Sequence, residues 1–209
     1  MPRASRLNQP GLHHHVISRG NANQDIFRDD EDYKQYLILL KEALKEDPLS
    51  IFNYVLLSDQ LHLLVQTKKE GSLSRAMKNV TREYAKYFNK KYNSRGHVFE
   101  GRFKSFAIQD DKYFFACSRY IDLLAVRRNI AKDPKEYYWS GHHSLGYGQP
   151  GEYQIDFHPL YQSLGNSPQE RQLVYRGLIQ QYLGEELDLA NRKSGILGSR
   201  EFKKALKAA

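Results

Sequence analysis

Two short stretches carry residue types that could do chemistry on a phosphate. The first is Asp59-Gln60-Leu61-His62-Leu63-Leu64-Val65. On a strand, Gln60 and His62 point to one side, while Leu61, Leu63 and Val65 point to the other. A polar pair beside an apolar stripe can present two ligands to one ion. The plainer reading of a single histidine on a strand is structural. The second stretch is Ser118-Arg119-Tyr120-Ile121-Asp122-Leu123-Leu124-Ala125-Val126-Arg127. Here Tyr120 stands beside arginine, one helical turn before Leu124 and on the same face. A phenol so placed can attack a phosphodiester if its proton is lost and the phosphate charge is neutralised. The plainer reading is a core or rim tyrosine.

These residues need elements to hold them. His13 to Ser18 reads as a strand ended by Arg19-Gly20-Asn21. Asp29 and Asp30 are good helix N-caps. Behind them Tyr33, Tyr36, Leu37, Leu40 and Leu44 repeat at helical spacing, and Asp47-Pro48 stops the helix. Ile51 to Leu57 and Leu61 to Thr67 read as hairpin-paired strands around Ser58-Asp59-Gln60. Ser72 is placed to cap a long helix with the apolar stripe Leu73, Ala76, Met77, Val80, Tyr84, Tyr87 and Phe88. Val98-Phe99 and Phe103 to Ile108 look like strand material. Asp110 or Asp111 would cap a third helix running through Tyr120 to about Val126. The order β-α-β-β-α-β-α, with two helices on one face of an antiparallel sheet, predicts an α+β sandwich of ferredoxin-like type. Residues 1–133 read as this core and 134–166 as a loop-rich linker. Residues 167–209 read as a helical C-terminal extension opened by the capping box Ser167-Pro168-Gln169-Glu170, which starts a helix to about Leu183. A last short helix starts near Ser199.

Composition bounds the partners. The 209 residues are 40% hydrophobic, enough for a packed core. No run approaches the roughly 20 apolar residues of a membrane helix. The opening Met-Pro-Arg-Ala-Ser-Arg lacks the apolar run of a secretory signal. The lone Cys117 leaves no internal disulfide, and a cytoplasmic protein is expected. The net charge of +8 favours polyanions. The excess concentrates between Lys68 and Lys104. On the second helix Arg75, Lys78, Arg82 and Lys86 recur on one face, opposite the apolar stripe. Such a single-signed stripe lacks the Glu–Lys pairing of a merely solvated face, which favours nucleic-acid contact. Fifteen tyrosines add stacking surfaces for unpaired bases.

Read in order, several pieces resemble the REP-associated tyrosine transposases, relatives of the smallest insertion-sequence transposases. They are His15-Val16-Ile17-Ser18-Arg19-Gly20-Asn21, Gln24-Asp25-Ile26-Phe27, Leu61-His62-Leu63-Leu64-Val65, Gly96-His97-Val98-Phe99-Glu100-Gly101-Arg102-Phe103-Lys104-Ser105 and Arg119-Tyr120-Ile121. Gly195-Ile196-Leu197-Gly198-Ser199 looks like the tail of longer members. The resemblance covers residues 1 to about 145 well and the rest loosely. It implies a ferredoxin-like core, hairpin-forming single-stranded DNA as partner, and Tyr120 as a nucleophile that would leave a 5′-phosphotyrosine. It further implies a divalent ion, magnesium or manganese, held by two histidines of a His-hydrophobe-His strand and a polar residue one turn after the tyrosine. A membrane is not an expected partner, and a homodimer is an admissible assembly.

The chain departs from that pattern at two ligand positions. Gln60 stands where the first histidine belongs, and Leu124 where the polar residue belongs, while His62 and Tyr120 remain. A glutamine carbonyl ligates magnesium weakly, and leucine not at all. Asp59 could substitute only if the strand bulges. The DNA-binding shell therefore reads as more intact than the metal site. Arg19, Arg102, Lys104 and Arg119 join the helical stripe as expected phosphate contacts, and glycines beside them let a backbone approach a strand closely. His13 and His14 read as lining an exposed strand side or fraying. His142, His143 and His158 do not read as ligands, and Cys117 reads as core. The competing functions are a catalytically inactive DNA- or RNA-binding module and an interaction protein that binds no nucleic acid.

Overall fold

In a computed structural model that describes residues 9–109, 112–181 and 195–208, the alternation read in the first strand and the hairpin is used on both faces. Strand β1 (His13–Arg19) pairs antiparallel with β3 (Gln60–Thr67), which pairs antiparallel with β2 (Leu49–Leu57). Strand β4 (Lys104–Ile108) joins the other edge of β1. Helix α1 (Asp30–Glu46) connects β1 to β2, and α2 (Ser72–Lys91) connects β3 to β4. The resulting order β2-β3-β1-β4 is the ferredoxin-like arrangement expected from the sequence. A short fifth strand, β5 (Ile196–Leu197), adds parallel to β4.

One sheet face presents Val16, Leu61, Leu63 and Val65 to the apolar stripes of α1 and α2, in one buried cluster. The other presents Ile17, Val55, Leu57, Leu64 and Phe106 to helix α3 (Lys112–Asp122). The two-helix face is thus as expected, and α3 adds a layer on the opposite side. Cys117 is buried there, as read. After α3 come α4 (Leu124–Arg127), α5 (His142–Tyr147), α6 (Pro159–Gln162), α7 (Pro168–Gln180) and, after β5, α8 (Arg200–Ala208). Residues 134–166 carry the buried side chains of Pro134, Trp139, Leu145, Ile155 and Tyr161. No helix among the described residues is long and apolar enough to cross a membrane.

Local signals held at several ends. The Asp29 side chain accepts from the Asp32 N–H at the start of α1. Ser167 accepts from the Glu170 N–H, while the Glu170 carboxylate accepts from the Asn166 N–H. Other boundaries differ. Ser72 does not cap α2. It is the first helical residue, its hydroxyl donates to the Lys69 carbonyl, and Gly71 occupies the cap with φ +73°. Val98-Phe99 forms only an isolated bridge from Phe99 to Gly20. Helix α3 stops at Asp122, with Leu123 separating it from α4. Asp110 and Asp111, its expected caps, lie outside the described residues, as does Leu183.

His13 and His14 are buried, contrary to the expectation that they line an exposed strand side or fray. His13 packs between Phe52 and Phe114, and its Nε2 lies 3.1 Å from Nε2 of His158, the N-cap of α6. His14 points to the α1/α2 face. Sequence alternation cannot reveal this, because both faces are covered by chain that arrives much later.

Gly20 sits where the chain leaves β1. A Cβ there would lie 2.0 Å from the Gln24 carbonyl oxygen. Gly20→Ala is therefore expected to lower stability by about 1–3 kcal/mol through a forced backbone shift, read as a lower urea midpoint. An unchanged midpoint would show that the turn gives way freely.

Candidate nucleic-acid interface and the Tyr120 site

Cross-strand partners in an antiparallel sheet share a face. Arg19 is opposite Gln60, Ile17 is opposite both His62 and Lys104, and His15 is opposite both Leu64 and Phe106. His15, Arg19, Gln60, His62 and Lys104 thus line the face that α3 covers. Arg19 and Lys104 are exposed at its end, while Gln60 and His62 are buried.

Tyr120 comes down from α3 onto this row. Its ring centroid is 5.7 Å from that of His15, edge-on, and 5.8 Å from that of His62. His15 Nε2 and His62 Nδ1 are 2.9 Å apart, so one imidazole donates and the other accepts. Tyr120 is half-buried, which leaves its edge reachable from solvent. The Arg127 guanidinium lies 5.7 Å from the Tyr120 ring centroid, within cation–π range. The next residue, Arg128, makes two hydrogen bonds to Asp59, at 2.5 and 2.9 Å. That pairing, against the cost of desolvation, raises the Arg128 pKa. Asp59 is thereby held in the β2–β3 turn by Arg128. Leu124 is buried in the apolar cluster beneath α3, so this position offers packing and no donor atom.

The loop before β4 brings further cations to the same end. The Asn21 N–H donates to the Val98 carbonyl and the Glu100 N–H to the Arg19 carbonyl, at 2.9 and 2.8 Å. These bonds zip the exposed Arg102 loop against the chain that carries Arg19. Gly101, with φ +66°, makes the turn that a β-carbon would disfavour. Arg119 lies half-buried on α3 beside Tyr120.

The structure does not bring the α2 stripe to this place. Arg75, Lys78, Arg82 and Lys86 are exposed on α2, which packs with α1 on the opposite sheet face. Nor is the stripe without pairing, as its sequence suggested. Glu83 accepts from Arg82 at 2.7 Å and from Lys86 at 3.1 Å, and Arg75 pairs with Asp47 at 2.6 Å. Lys86 and then Arg82 hold the Glu83 carboxyl below the usual range. Glu83 lies off the stripe by sequence angle, but flexible side chains close the gap.

The sequence reading missed His15 as a site residue. Its alternation with Ile17 and Arg19 was visible, but its place diagonal to His62 depends on the strand register. Among the described residues, no three His, Cys, Asp or Glu side chains gather where they could share an ion.

Three comparisons bear on this geometry. No curated protein matches the chain. Among solved structures it is similar to a REP-associated tyrosine transposase bound to a REP hairpin, with 19% identity and a TM-score of 0.56. That match covers 76% of this chain and 94% of the other, and it supports the fold. A crystal structure from Deinococcus radiodurans carrying a transposase description is more distant, with 13% identity and a TM-score of 0.40 over 62% of this chain and 92% of the other. The family model described as "Transposase IS200 like" matches residues 8–123, more than half of the sequence and the whole of the sheet-and-helix unit up to Tyr120. The chain belongs to the family of IS200-like transposases.

Proposed function

We propose that this protein binds single-stranded or hairpin DNA at the end of the sheet where Arg19, Arg102 and Lys104 gather, with Tyr120 turned to the bound phosphate. Metal-assisted strand cleavage is weakened in it. The observation that carries this reading is the shared face of Arg19, Lys104, His62 and Tyr120, fixed by strand register and α3. Family membership supports a DNA partner, and the hairpin-bound structural neighbour supports its form. Arg119 and Arg127 beside Tyr120 add positive charge where a phosphate would sit.

The residues present do not fit a divalent ion. Magnesium and manganese favour several oxygen donors in near-octahedral array. Here His62 offers one imidazole, its same-face neighbour Gln60 a neutral amide, and the buried Leu124 nothing. Chemistry at Tyr120 therefore lacks the charge that family members recruit, and phosphate neutralisation falls to arginine and lysine.

Fluorescence anisotropy with a hairpin oligonucleotide carrying an unpaired tail tests the binding reading. Arg19→Ala and Lys104→Ala are each expected to reduce the slope of log affinity against log salt by about 0.7, the loss of one single-strand phosphate contact. Lys78→Ala, on the far face, should leave that slope unchanged. Salt-independent binding, or an equal effect at Lys78, would overturn the proposed surface, and preference for a matched RNA hairpin would change the partner. Incubation with manganese tests the second part. A covalent protein–DNA adduct formed by the intact chain and absent from Tyr120→Phe would overturn the weakened cleavage.

A further inference from the structure

Beneath α3, on the side away from the sheet histidines, lies a buried polar cluster that the site above does not use. Ser118 and Asp122 are four residues apart on α3, and Tyr120 lies midway between them, turned roughly 200° from each by the helical period. The Asp122 carboxylate accepts from Asn53 Nδ2 at 2.8 Å and from the Tyr175 hydroxyl at 2.6 Å, and it faces His142 Nδ1 at 2.9 Å. The Ser118 hydroxyl is 2.9 Å from both Asn53 Nδ2 and the Tyr175 hydroxyl. All five side chains are buried. Asn53 belongs to the irregular register of β2, but His142 and Tyr175 come from α5 and α7. A Cβ on Gly141, at the N-cap of α5, would lie 2.4 Å from Asn53 Oδ1, so this approach is close-fitting.

A helix lying on a sheet can still rotate about its axis and slide along it. Apolar contacts resist this weakly, whereas a desolvated carboxylate with three directional partners tolerates little change in geometry. We infer that His142 and Tyr175, from the chain after the core, are positioning residues that set the rotation of α3 and so hold the Tyr120 ring against His15 and His62. This assignment rests on the reading of Tyr120 as the DNA-facing residue, though its geometric part stands without DNA.

The test is therefore made on the free, intact chain. The imidazole ring protons of His15 and His62 sense the Tyr120 ring current, and their NMR shifts report its position. Tyr175→Phe keeps the buried ring and removes only the hydroxyl. His142→Ala removes the partner of Asp122, while His142→Asn restores an N–H at nearly the same place. Both His15 and His62 signals are expected to shift in Tyr175→Phe and His142→Ala, and to return towards the parent values in His142→Asn. Leu173→Ser, on the exposed side of α7, should leave them in place. Folded Tyr175→Phe and His142→Ala proteins with parent shifts would overturn the inference, as would equal displacement in Leu173→Ser. Should His142→Ala fail to fold, Tyr175→Phe alone decides. Displaced shifts together with absent DNA binding in every variant and the parent would leave the positioning role standing and remove the DNA reading instead.

Discussion

His14→Leu is expected to flatten the dependence of stability on pH between about 6.5 and 4. His14 is buried on the α1/α2 face of β1, and neither ring nitrogen has a hydrogen-bond partner among the described residues. Burial, and then the charge of His13, lower its pKa to about 4. In the unfolded chain the same imidazole titrates near 6.5. The folded state thus favours the neutral ring, and the unfolded state takes up the proton first. Stability from this site is complete above the unfolded value and is lost as pH falls from 6.5 towards 4. A shift of this size is worth about 3 kcal/mol. Leucine has a similar apolar bulk and cannot titrate, so the variant should hold nearly constant stability where the parent loses it. The difference between the two urea-unfolding series isolates His14. Parallel curves from pH 7 to pH 4 would refute the assignment.

The second large effect is expected at Asp32→Ala, with a loss of about 3–5 kcal/mol, the usual cost of breaking a buried ion pair from one side. Asp32 is fully buried between α1 and the end of α2. It accepts from the Arg28 N–H, the Tyr87 and Tyr92 hydroxyls and Lys91, at 2.7 to 3.0 Å. Burial opposes its ionised form, yet these hydrogen bonds outweigh that cost and hold its pKa below 3.8. Alanine would leave the Tyr87 hydroxyl and the Arg28 N–H without their acceptor, and the Tyr92 hydroxyl with only Asp29, at 3.3 Å. Lys91 would keep Asp29 and Glu31, at 2.8 and 2.9 Å, which limits the loss. A change within the ~0.5 kcal/mol of a neutral surface substitution would refute the clamp. A depressed carboxylate contributes stability above its unfolded value and loses it as pH falls below. The Asp32 contribution should therefore disappear below about 3.8, after that of His14.

Both residues illustrate what sequence can carry. Asp32 carried no reading in the sequence, where only Asp29 and Asp30 stood out, as N-caps. Its burial depends on Tyr87, Tyr92 and Lys91 arriving from α2, some sixty positions later. His14 read as exposed because polar residues at a strand end usually are. In contrast, the alternation of Gln60 and His62 against Leu61, Leu63 and Val65 was legible and correct, because a strand has a fixed period of two. The α2 stripe was also legible as a helix face, but its periodicity does not say on which side of the sheet the helix lies.

Tyr120 and His62 were marked by residue type and local spacing, as were the βαββαβ order and the caps of α1 and α7, since each depends on contacts within a few residues. What tertiary structure decided is the company they keep. Strand register put His15 on His62, and it set Arg19 and Lys104 on the same face. Packing placed α3 above them and α2 behind the sheet. The chain after residue 133 supplied His142 and Tyr175 to hold Asp122. Those placements depend on long-range pairing and close packing, whose energies belong to surfaces that exist only once the whole sheet is formed.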